Sequence, residues 1–148
     1  MKKLLCIALC GILAWSNSNA DESVVVEQVV GQFADIKENI VTAIEGRGLV
    51  INLTSHIGDM LDRTGKDLGT KQRIYEQAEM LEFCSARASR AMMAAAPAHI
   101  VFCPYTIAIY TLPGQAGTVH VAYRRLPELP GLDEARQLLP AITREALH

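Results

Sequence analysis

Two runs rich in β-branched residues lie close together in the second half of the chain. They are Tyr105 to Leu112, with Thr106-Ile107-Ala108-Ile109-Tyr110 at its heart, and Thr118 to Arg124, where apolar and polar residues alternate. Only Pro113-Gly114-Gln115-Ala116-Gly117 separates them, a stretch of turn formers. Strands joined by so short a loop pair antiparallel, because a parallel return needs a crossover of a dozen or more residues. A wound parallel sheet is thereby excluded, and the helical segments between the earlier strands make the fold class α+β.

Upstream, Ser23 to Phe33 is valine-rich and predicts a first strand. Asp35 with Glu38 three positions on has capping-box spacing, so a helix is expected from Asp35, with Ile36, Ile40, Val41 and Ile44 on one face. Gly46 and Gly48 end it. Leu49 to Thr54 predicts a second strand, and Ser55 an N-cap for a short helix broken by Gly65 and Gly69. Lys66 to Gln77 is charged and weakly periodic, which suits a surface segment. Glu79 to Cys84 predicts a third strand, and Ser85 to Ala96 an alanine-rich helix stopped by Pro97. A C-terminal helix is expected from Leu132 or Asp133 to Leu147, kinked at Pro140.

The first residues have the layout of a bacterial secretory signal peptide: Lys2 and Lys3, an apolar run from Leu4 to Trp15, then Ser18-Asn19-Ala20. The apolar run is well short of the ~20 residues a spanning helix needs. Cleavage before Asp21 is expected, leaving residues 21–148 as one α+β domain in the periplasm or secreted medium, with no stable membrane anchor. A lipoprotein leader acylated at Cys10 is the alternative, with Leu9 where a small residue belongs. Losing Lys2 and Lys3 from the 14 basic residues, with all 16 acidic residues retained, takes the formal net charge from −2 to −4. That balance gives no electrostatic footprint for nucleic acid.

Short motifs resemble the family called domain of unknown function 302. They are Leu81-Glu82-Phe83, a helical insert with Met92, Pro104 to Tyr110, Val119 to Arg124, and Gly46-Arg47-Gly48-Leu49-Val50-Ile51. The resemblance implies a TATA-binding-protein-like fold, a curved antiparallel sheet of about five strands with helices on one face. It implies no catalytic residue and no DNA binding, since fold is not function. Where the commoner family pattern has Gly-Asn-Pro after the first motif and Leu-Pro before the fourth strand, this chain has Cys84-Ser85-Ala86 and Cys103-Pro104. The paired change is similar to a mark of a secreted subgroup carrying a cysteine pair.

An even cysteine count in an oxidising compartment favours a bridge, so Cys84–Cys103 is expected as a structural disulfide. A redox-active pair and two free or ligand-bearing thiols are the alternatives. Met92, Met93 and His99, with Cys103, are the soft donors a copper site would draw on, although adjacent methionines on a helix point apart. Otherwise no metal and no cofactor is expected. A ligand pocket is expected between sheet and helices around Glu82, Met92, His99 and Tyr105, beside the two cysteines. Glu79 and Glu82 should face opposite sides of their strand, which makes them a poor acid–base pair, and no Ser or Cys has an evident base partner. His120 is expected to be solvent-facing or hydrogen-bonded at the sheet surface. Arg87, Arg90, Arg124 and Arg125 could rim an anion site or form a solvated face. Asn52-Leu53-Thr54 is a glycosylation triplet, placed in a strand expected to be buried. The favoured function is a non-enzymatic ligand-binding or accessory domain, acting on an unknown small ligand or partner protein. Its rivals are a thiol–disulfide redox protein, a structural homodimer and a copper-binding protein.

Overall fold

The computed structural model describes residues 23–70 and 72–148; the expected leader, with its cleavage site, lies outside them. Five strands form one open antiparallel sheet: β1 (Val24–Val30), β2 (Val50–Ser55), β3 (Gln77–Cys84), β4 (Tyr105–Thr111) and β5 (Thr118–Arg124). Their spatial order is β1-β5-β4-β3-β2. Among the described residues four α-helices accompany them: α1 (Phe33–Glu45), α2 (Ile57–Asp67), α3 (Ala86–Ala95) and α4 (Asp133–Leu147). A 3₁₀ turn follows α3 over Pro97–Phe102. Among the described residues no helix is long and apolar enough to cross a membrane.

Strand alternation decides what each face buries. Phe83 opposite Tyr105, Leu81 opposite Ile107 and Ile109 opposite Val121 form one continuous apolar face. Ile36, Ile40 and Ile44 of α1 and Leu139 and Ile142 of α4 join these residues in a single core. Since β1 and β2 occupy opposite edges of the sheet, α1 carries the chain from one edge to the other across this face. Two polar ties fasten helices to it: Lys37 pairs with Glu79 at 2.5 Å, and Thr143 donates to a Glu27 carboxylate oxygen at 3.1 Å.

Several boundaries differ from expectation, each for a local reason. Helix α1 begins at Phe33, after Gln32, with no side-chain cap, because burial of Phe33 outweighs the Asp35/Glu38 spacing. Ser55 does not cap α2; its hydroxyl donates to Glu82 instead, and α2 runs through Gly65 to Asp67. Pro97 ends α3 but starts the 3₁₀ turn, a position where its missing N–H costs nothing. Pro140 stands inside α4, which continues as one helix to Leu147. A register shift between Ile51 and Leu53 inserts Asn52 as a bulge. Asn52 is therefore exposed, contrary to the buried strand position expected.

Candidate functional site

Pairing between β3 and β4 brings the two cysteines together. Phe83 faces Tyr105, so Cys84, the next residue on β3, comes alongside Pro104, the residue between Cys103 and Tyr105. The Cys103–Pro104 peptide bond is cis. The two thiols are free in this structure, partly buried, and interact directly with each other. Ser89 Oγ lies 3.0 Å from Cys103 Sγ, and Tyr105 Oη donates to Met92 Sδ at 3.9 Å. Helix α3 is positioned for this by Ser85, whose Oγ accepts from the Ala88 N–H at 3.3 Å, satisfying one of the open donors of the first turn.

Burial chiefly, and the neighbouring Cys103, push the Cys84 thiol above its ordinary 9.0. The Tyr105 phenol is pushed up to about 12, mainly by burial, with the Ser89 hydrogen bond opposing. Neither group ionises readily near neutral pH, so Cys84 is a weak nucleophile there.

Four residues were expected to line a pocket, and they part company. Met92 and Tyr105 are buried at 0% and 2% exposure and belong to the hydrophobic core. His99 sits beyond them, half-buried, its Nδ1 3.1 Å from the Met92 carbonyl and its ring tilted against Phe102. Glu82 projects from the opposite face of β3, where it accepts from Ser55 at 3.2 Å. Glu79 and Glu82 do face opposite sides. Met92 is buried while Met93 is half-buried, so the pair diverges on α3. Among the described residues no three His, Cys, Asp or Glu side chains converge as a metal site.

The arginines do not form one rim. Arg87 pairs with Glu134 at 2.9 Å. Arg124 and Arg125 line a cleft of about 390 Å³ with Tyr123, Leu126 and Arg136, between the ends of β1 and β5 and the start of α4. Arg136 is held there by Glu128 and Asp133. Sequence reasoning missed this cleft, whose walls come from segments that only the β1–β5 pairing and the docking of α4 bring together.

His120 on β5 is 4% exposed, stacked on Tyr110 with ring centroids 4.8 Å apart and 6° between planes, and its Nε2 lies 3.1 Å from Gln115 Oε1. Tyr75 meets Tyr110 edge-on at 5.2 Å. Of the two placements expected for His120, the structure has the hydrogen-bonded one, with Tyr110 standing between the His120 and Tyr75 rings.

No curated protein matches this chain. Among solved structures it is similar to the crystal structure of an uncharacterized conserved DUF302 protein from Bacillus stearothermophilus. The TM-score is 0.57 at 12% identity, over 84% of this chain and 88% of that one, a likeness of fold. The family model described as "Domain of unknown function DUF302" matches residues 23–146, which takes in every strand and helix above except the last residue of α4, and the chain belongs to that family.

Proposed function

We propose that the chain is a non-enzymatic accessory or ligand-binding domain of the periplasm or secreted medium, made up of residues 21–148. In that setting Cys84 and Cys103 close into a structural disulfide. The observation that carries this is the juxtaposition of the two thiols by β3–β4 pairing and the α3 return. A pair already brought within interaction range by the fold needs little rearrangement to bond. Thiol titration of exported protein, denatured without reductant, should find almost no free SH; about two free thiols per chain would overturn the bridge.

The ligand-binding part of this reading moves away from the filled interior around Met92 and Tyr105. It rests on the cleft beside Tyr123 and Arg136, which has apolar walls and a charged rim. Redox use of the same cysteines is the second reading, and the raised Cys84 thiol counts against it. A reduction potential well below about −300 mV would mark the bond as structural. A homodimer is supported by apolar side chains left open on the edge strands, Val24, Val26 and Val30 on β1 and Val50 and Leu53 on β2.

A further inference from the structure

We propose that Cys84 and Cys103, when reduced, form a low-coordinate site for a soft monovalent cation, copper(I). This goes beyond the bridge, since it concerns the same sulfurs in the opposite redox state. Two observations and one ligand preference converge on it. The sulfurs come from elements fixed by the sheet, the last residue of β3 and the residue two before Tyr105 of β4, so their proximity does not depend on a mobile loop. Thiolates are the ligands copper(I) prefers. Among the described residues no third and fourth His, Cys, Asp or Glu approach to complete a tetrahedral set. Zinc in a structural site wants four such ligands, whereas copper(I) is satisfied by two thiolates.

Burial opposes the charge that would form, and one hydroxyl offsets it in part. Two thiolates around one monovalent cation carry a net negative charge in a partly buried place. Ser89 Oγ, 3.0 Å from Cys103 Sγ, must act as donor once that sulfur is a thiolate. Met92 Sδ is already engaged by the Tyr105 hydroxyl at 3.9 Å, so it acts as a packing neighbour and not a ligand. The step itself moves no electrons. Two S–H bonds are lost to solvent as protons, two S–Cu bonds form, and copper remains in its +1 state.

The test uses the purified full chain, reduced under anaerobic conditions, and copper(I) supplied as its bicinchoninate complex. The wild-type chain should withdraw one copper per chain from the indicator. Cys84→Ser and Cys103→Ser should each weaken uptake at least about a hundredfold, and Met92→Leu should leave it within a few-fold. Because two protons leave per metal, apparent affinity should rise roughly a hundredfold per pH unit below the thiol range. In wild type alone, copper(I) should also slow alkylation of both native thiols at least tenfold, a readout that stands even if a serine variant folds poorly. No withdrawal from bicinchoninate, uptake undiminished in the double serine variant, or unprotected alkylation would each overturn the site. Failure of the bridge appears instead as free thiols in the unreduced protein, so the two ideas fail separately.

Discussion

A thiol or phenol set among apolar side chains holds its proton, and the cluster at Cys84 turns that into a pH dependence. In the reduced chain Cys84 is raised above its ordinary 9.0 by burial first, and Tyr105 from 10.0 to about 12. Both groups bind their proton more tightly folded than unfolded. Their contribution to stability is therefore complete below the unfolded values and disappears as pH climbs through the folded ones. The urea midpoint of reduced protein should fall between about pH 9 and pH 12, and Tyr105→Phe should flatten the upper part of that fall. A wild-type midpoint that holds or rises across the window would contradict the buried setting of both groups. Met92, fully buried against Tyr105, gives a simpler expectation: Met92→Ala should cost roughly 2–5 kcal/mol, measured by equilibrium denaturation. At this scale the sequence singled out Cys84, Met92, Cys103 and Tyr105 as neighbours because all lie within one short stretch folded back on itself. Sequence proximity groups Glu82 with them, but it stands on the face of β3 opposite Leu81 and Phe83, away from Met92 and Tyr105. Alternation along the strand already implies that separation, and the buried Leu81 and Phe83 show which face is covered.

Between elements, the loop before α4 passes tightly over α3. Gly131 has a φ of +82°, and a Cβ there would lie 2.7 Å from the Ala91 carbonyl oxygen and 2.8 Å from the Ala95 side chain. Left-handed backbone alone costs a non-glycine residue about 1–3 kcal/mol, and the collision is with backbone that cannot swing aside. Gly131→Ala should therefore lower stability by more than about 2 kcal/mol, while Gly114→Ala, equally left-handed but open to solvent, should lose only the conformational part. Equal losses at the two sites, measured by denaturant unfolding, would show that the α3–α4 contact is not tight. Element identity was readable from local chemistry, and β5 and α4 match their expected ranges almost residue for residue. The misjudged ends were those settled by distant partners. Phe33 joins α1 because the sheet offers it a place in the core, and Ser55 leaves the α2 terminus because Glu82 is across the strand.

For the molecule as a whole, the hairpin of β4 and β5 made the α+β class legible, but the order β1-β5-β4-β3-β2 was not. Which strand ends at an edge is decided by long-range packing, and no local residue pattern encodes it. That order sends the chain from β3 through α3 and back to β4 beside it, so the cysteines stand at the two ends of an excursion from Cys84 to Cys103. A cross-link there stabilises mainly by shrinking the unfolded ensemble, by roughly 3 kcal/mol for a loop of this length, less whatever strain the native bond carries. Oxidised chain should exceed reduced chain by about that amount in denaturant unfolding at pH 7. Reductant should have no such effect on the Cys84→Ser, Cys103→Ser double variant, whose stability should lie near that of reduced wild type. An oxidised chain no more stable than the reduced one would mean that bonding distorts β3–β4 pairing as much as it restrains the unfolded chain.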